Sequence, residues 1–179
     1  SASVVVKLPV LGRIKLIVHS KPGKHTPDVE YAFKSVELKQ NIPVLGLYPN
    51  YNNQVTLIYT DLQGNERARS DLKLQTKTLE SRRLPKEIRV VKAQYDRMEP
   101  GMNLVNSPGQ DETDTSIPYM VDADGEIRWI LDWEKSDEHR YIGIGCGLIR
   151  MQNGHYMTGD GNHHRMVEVD MMGNTIHNW

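Results

Sequence analysis

Apolar and polar residues alternate with a period of two through most of the chain. The stretches "VVVKLPVLGRIKLIVHS", "QVTLIYT", "YMVD", "EIRWILD", "RYIGIGCGLIRM", "HYMTG" and "RMVEVD" put apolar, often β-branched side chains on every second position. That is the pattern of half-buried strands. No long segment shows a helical stripe. Gly64, Gly125, Gly154 and Gly173 each stand between two strand-like runs, where a tight hairpin turn needs a residue that tolerates positive φ. The pattern predicts an all-β protein.

Between Thr78 and about Ser116 the alternation lapses, Pro85, Pro100 and Pro108 intervene, and the acidic run "GQDETDTS" follows. Long surface connections have this composition. The expected organisation is therefore a small N-terminal β-sandwich over 1–80, a connection over 81–116 and a second β-region over 117–179. The stretch "GLYPNYNNQVTLIYTDLQGNERARSDLKL" supplies strands and turn signals that suit two packed sheets.

The second region repeats itself. "MVDADGEIRWIL" and "VEVDMMGNTIHNW" both run apolar, Val-Asp, two residues, Gly, then a short strand reaching a Trp, with Asp122 and Asp170 48 positions apart. A period of about 40 to 50 residues suits the blades of a β-propeller, each a four-stranded sheet. From Gly147 onward the strands "LIRMQ", "HYMTG", "RMVEVD" and "NTIHNW" make up one such blade, and the earlier copy makes a hairpin over 118–132. A ring closes with about four blades or more, so the expected fold is a sandwich followed by the first part of a propeller. A plain array of β-hairpins accounts for the same pattern. On the propeller reading, the hairpin and the blade should carry unpaired edges and exposed apolar faces.

Charge narrows the partners. The 179 residues hold 22 Lys+Arg and 23 Asp+Glu, so no global field draws the chain to nucleic acid or to an anionic membrane. No apolar run approaches the 18 or so residues that cross a bilayer, and "SASVVVKL" lacks the order of a signal peptide. A cytosolic chain, or a mature and already trimmed one, is expected. Cys146, the single cysteine, cannot pair internally and reads as a buried small hydrophobe.

Each candidate for chemistry has a plainer reading. His155, His163, His164 and His177 cluster near the end, but His163 and His164 fall at a turn and lack metal-ligand spacing; no metal site is expected. Gly143, Gly145 and Gly147 resemble the start of a dinucleotide loop, yet Leu148 stands where the third Gly belongs and a hairpin follows. No cofactor site is expected there. Alternating glycines bare one face of a strand, with Ile142, Ile144, Cys146 and Leu148 on the core side. "DADGE" fails as a calcium loop because Met120 and Leu131 take the first and twelfth positions; it is a hairpin turn. Trp129, Trp133 and Trp179 are expected to pack rather than bind. The Asn-rich "YPNYNNQ" suits a sandwich corner as well as a binding loop.

The stretch "VLGLYPNYNNQVTLIYTDLQGN" resembles the N-terminal domain of the bacterial arylsulfate sulfotransferases. "IPYMVDADGEIRWILD" with "NGHYMTGDGNHHRMVEVDMMGNTIHNW" resembles the opening of their propeller, so the likeness covers nearly the whole chain. It is strongest at Gly46-Leu47-Tyr48-Pro49 with Tyr51, Asn53 and Val55, at Asp124 to Trp129, and at Asp170 to Gly173. The resemblance implies a periplasmic or exported enzyme, a β-sandwich joined to a six-bladed propeller, that moves a sulfuryl group from a phenolic sulfate to a phenol through a sulfohistidine. It implies no nucleotide donor or other cofactor, and a possible homodimer. The family's catalytic histidines and arginine lie on later blades, so catalytic residues are expected beyond Trp179, none is assigned here, and the chain alone is expected to be inactive. A non-catalytic binding or dimerisation module with an appended β-region is the alternative.

Overall fold

The computed structural model describes residues 1–81, 83–106, 116–133, 136–140, 142, 147–161 and 163–179. Thirteen strands and one 3₁₀ turn are found among them, as the alternation predicts. Two compact units result: Ser1–Ser81, Glu87–Met102 and Asp122–Trp129 form the first, and Arg82–Lys86, Asn103–Val121 and Ile130–Trp179 the second.

The first unit holds β1 (Ala2–Lys7), β2 (Arg13–Val18), β3 (Val29–Ala32), β4 (Lys39–Val44), β5 (Asn52–Thr60) and β6 (Glu66–Gln75). β1 and β4 pair antiparallel, and a four-stranded sheet runs β3-β2-β5-β6. One core joins the two sheets: Ile14, Leu16 and Val18 from β2, Ile42 and Val44 from β4, Val55, Leu57 and Tyr59 from β5. Every second residue of β2 and β4 enters it, which is the sandwich that period-2 patterning requires. β6 is an edge of its sheet, and its charged residues Glu66, Arg67, Arg69, Asp71 and Lys73 discourage further pairing. The 3₁₀ turn spans Tyr95–Arg97.

The Asn-rich stretch is a corner. Asn53 is fully buried; its Oδ1 accepts from the Tyr48 amide at 2.8 Å and its Nδ2 donates to the Tyr48 and Tyr51 carbonyls at 3.0 and 3.1 Å. One side-chain amide thus replaces the ladder bonds that the loop cannot make for itself.

The second unit contains β7 (Asn103–Val105), β8 (Tyr119–Val121) and a meander of β10 (Leu148–Arg150), β11 (Tyr156–Asp160), β12 (Arg165–Val169) and β13 (Thr175–Asn178) in sequence order. β9 spans Ile127–Ile130, and its residues up to Trp129 belong to the first unit. The segment read from sequence as connection supplies a strand of the second unit, since β7 pairs with β8 from Asn103 opposite Val121 to Val105 opposite Tyr119. Strand β10 starts at Leu148, as the spacing predicts, and buried Ile142 sits in a turn. Gly143, Ile144, Gly145 and Cys146, and all of the acidic run except Ser116, lie outside the described residues.

One face of the meander buries Tyr156, Thr158, Asp160, Val167 and Val169. The opposite face carries Ile149, paired with Met157, and Met166, paired with Gly159 and bonded backbone to backbone with Trp179. Ile149 is 64% exposed and Trp179 59%. Trp129 and Trp133 are buried as expected. Trp179 is not: no further layer covers its face of the sheet among the described residues. β10 and β13 are the sheet's two edges, so the expected open edges and exposed apolar side chains occur on the meander; at the hairpin the β8 edge is not open, because β7 pairs along it.

Four hairpins turn in the same way. In Asp61–Asn65, Asp122–Glu126, Met151–His155 and Asp170–Asn174, the first amide donates to the fifth carbonyl and the glycine amide donates to the first carbonyl. The glycines have φ between +80° and +90°, the geometry of a type I turn closed by a glycine bulge. In the three Asp turns, Oδ1 of the aspartate also accepts two amides of its own turn.

Candidate functional site

Three of the four clustered histidines touch carboxylates on the meander. Glu168 lies on β12 directly opposite His177 of β13, while His155 ends the turn that leads into β11. The Nδ1 of His155 is 2.6 Å from Glu168 Oε1, the Nδ1 of His177 is 2.9 Å from Oε2, and Asn153 Nδ2 donates to Oε1 at 3.0 Å. An ionised carboxylate only accepts, so both imidazoles carry their protons on Nδ1 and keep Nε2 as acceptor in the neutral form. Hydrogen bonds from His155, His177 and Asn153 hold the Glu168 carboxyl down at about 2, against an ordinary 4.5. The His177 ring stacks on Trp179 with centroids 5.3 Å apart.

Asp160, fully buried at the end of β11, gathers a second group. Its Oδ2 takes His163 Nδ1 at 2.8 Å and Arg165 Nε at 2.9 Å. Burial alone would raise this carboxyl; the hydrogen bonds from His163 and Arg165 prevail and lower it. Arg165 Nη2 also donates to the Glu138 carbonyl at 2.5 Å. His163 and His164 sit in the turn before β12, as their sequence placing predicts, with His164 at φ +51°.

Of the seven histidines the most enclosed is His139, one of three outside the predicted cluster. His139 is buried between Ser136, whose Oγ is 3.1 Å from Nδ1, and Thr175, whose Oγ1 is 2.7 Å from Nε2; Thr175 in turn donates to Glu138 at 3.0 Å. Burial lowers the His139 pKa, against the pull of Glu138. Its ring meets the edge of Trp133 at 5.2 Å. Sequence reading missed it because its partners stand in a loop and on β13, 36 positions later for Thr175.

Chemically these arrangements orient imidazoles and fix their protons. A nucleophile needs in addition positive charge or donors facing the group to be transferred, and the Arg165 guanidinium is committed to Asp160 and a carbonyl. No group of three or more His, Cys, Asp or Glu with metal-holding geometry occurs among the described residues. No helix among them is long and apolar enough to cross a membrane.

Comparison with known proteins sets these groups in context. Residues 1–77 match the family described as arylsulfotransferase Ig-like domain, and residues 87–179 match arylsulfotransferase (ASST). The chain is 24% identical over 205 residues to the arylsulfate sulfotransferase AssT of Lelliottia amnigena, a match that takes in 91% of this chain and 33% of that protein. The chain thus spans about a third of the length of the curated relative it matches. With an all-β fold and both family regions in their expected order, the chain belongs to the arylsulfotransferase family.

Proposed function

We propose that the chain is the N-terminal part of an enzyme that transfers a sulfuryl group from a phenolic sulfate ester to a phenol through a sulfohistidine intermediate. The observation that carries this reading is the pair of family matches, which together take in nearly every residue. The β10–β13 meander is then the first complete blade of a propeller, with its exposed apolar face available to the next blade. On this reading residues 1–80 are the N-terminal sandwich, to which Glu87–Met102 and Asp122–Trp129 add; the remainder of 81–116 is connection and the remainder of 117–179 the propeller's beginning.

The group that attacks sulfur lies, on this reading, in the two thirds of such an enzyme that the chain does not match. Glu168 orients His155 and His177 through their Nδ1 protons, and neither is assigned the attack on sulfur. An exported, periplasmic location goes with this reading, on the support of the family likeness alone. No nucleotide sulfate donor or metal takes part on this reading.

The test is release of nitrophenolate from 4-nitrophenyl sulfate with phenol as acceptor, using this chain and a longer product of the same reading frame. Turnover by the longer protein alone, with ³⁵S label on a histidine outside residues 1–179, is the expected result. Turnover by neither, with an intact mass near 20.5 kDa for the native product, would favour a non-catalytic binding or dimerisation module.

A further inference from the structure

The two most distinctive motifs of the sequence, Gly46-Leu47-Tyr48-Pro49 and Asp122 to Trp129, meet inside the first unit. Arg128 is buried with Asp122, and both side chains are fully shielded from solvent. Arg128 Nε and Nη2 donate to the Gly46 carbonyl at 2.9 and 2.6 Å, Nη1 donates to Asp122 at 2.9 Å, and the guanidinium carbon lies 3.6 Å from the centre of the Tyr48 ring. One planar fork thereby satisfies a carbonyl, a carboxylate and an aromatic face, which a lysine cannot do.

The tip of the same hairpin reaches a second loop of the unit. Asp124 Oδ2 accepts from the amides of His25 and Thr26 at 2.9 and 2.8 Å and from Thr26 Oγ1 at 2.8 Å. Glu126 takes Lys21 and Lys24 at 3.0 and 3.4 Å. Gly125, at φ +80°, has Val90 and the Ile88 carbonyl within 3.3 Å of where a Cβ would stand.

We infer that the hairpin tip Asp122–Trp129 is the closing element of the N-terminal unit: the loops 21–26 and 46–51 form a receptor for an Asp-x-Asp-Gly-Glu-x-Arg hairpin, and the sandwich reaches its final structure only once that hairpin is seated. The family matches divide the chain between residues 77 and 87; the folding unit does not end there. Its last piece lies some 40 residues further on, so the sandwich waits during synthesis for chain that belongs to the second family region. This inference is independent of the activity proposed above.

Hydrogen exchange on the full 179-residue chain tests it. Arg128→Lys keeps the charge and loses the fork, and is expected to speed exchange of the Tyr48 amide by about tenfold or more. Asp124→Asn leaves the buried Arg128 pair intact and is expected to speed the His25 and Thr26 amides to a similar degree, with the Val167 amide on β12 unchanged. Wild-type exchange at Tyr48, His25 and Thr26 in both variants overturns the inference. If Arg128→Lys does not fold, Asp124→Asn decides: faster His25 and Thr26 amides support the receptor, and unchanged ones refute it.

Discussion

His155 and His177 approach one carboxylate from opposite sides, with Glu168 between them at 2.6 and 2.9 Å. The Glu168 carboxyl, held at about 2 by hydrogen bonds from His155, then His177 and Asn153, is depressed in the folded state below its ordinary value. Such a group adds stability that is fully present above about pH 4.5 and drains away as pH falls toward 2. Urea unfolding at intervals from pH 7 to pH 2 should therefore show a midpoint that falls through this window. Glu168→Gln should be less stable at pH 7 and should approach the parent protein as the pH drops. A constant difference between the two proteins at every pH would rule out the ionised carboxylate as the source. Asp124, also held at about 2, where hydrogen bonds from Thr26 and His25 outweigh the effect of burial, titrates in the same window in both proteins and cancels in the comparison.

The Arg128–Asp122 pair makes a separate prediction. Truncating one member of a buried ion pair strands the other charge, at a typical cost of about 3–5 kcal/mol, and Arg128→Ala is expected to fall in that range by chemical denaturation. Asp122→Ala loses the pair and also two amide bonds of its turn. The double variant should cost less than the sum of the two by about 0.5–3 kcal/mol, the coupling of residues in one network. Additive losses would mean that Arg128 is held by the Gly46 carbonyl and the Tyr48 ring without help from the carboxylate.

Turn chemistry was the most legible feature of this sequence, and it was also over-read. Asp-x-x-Gly followed by Asn or Glu fixes a hairpin turn locally: the aspartate caps its own amides and the glycine adopts positive φ, with no distant partner required. For that reason Asp61–Asn65 in the sandwich makes the same turn as Asp122–Glu126 and Asp170–Asn174. The 48-residue echo between the last two is in part this turn, and the third instance carries no blade. Arg128 was illegible for the opposite reason. Nothing local in "EIRWIL" marks it, because the carbonyl it is buried against lies 82 positions earlier. Strand β3 was missed because three of its four residues are exposed. β4 was hidden by Pro43, which sits opposite Ser3 in the two-stranded sheet, where an edge tolerates a missing donor.

Two glycines in equivalent turns should respond differently to alanine. Gly154, at φ +87°, has open space where a Cβ would stand, whereas Gly125 faces Val90 at 3.1 Å and the Ile88 carbonyl at 3.3 Å. Gly154→Ala then pays only the left-handed backbone penalty, about 1–2 kcal/mol. Gly125→Ala adds a steric conflict with backbone and should be the more destabilising of the two in thermal unfolding. Equal losses would show that loop 86–94 gives way freely at Ile88 and Val90.

The exposed stripe on the meander yields the last prediction. Ile149, Met166 and Trp179 lie on one face, with 64%, 43% and 59% of their surfaces accessible, so replacing them removes few packing contacts. Ile149→Thr with Trp179→Ser should leave the unfolding free energy within about 0.5 kcal/mol of the parent, as surface changes do. Exposed apolar side chains also drive non-specific association, so the same double variant should bind less anilinonaphthalene sulfonate and stay monodisperse by light scattering at concentrations where the parent chain associates. In contrast Val167→Ala, on the buried face of the same sheet, should destabilise without reducing dye binding. Were the stripe variant as destabilised as Val167→Ala, the two faces of the sheet would be equally packed, and the surface assigned to the next blade would already be covered.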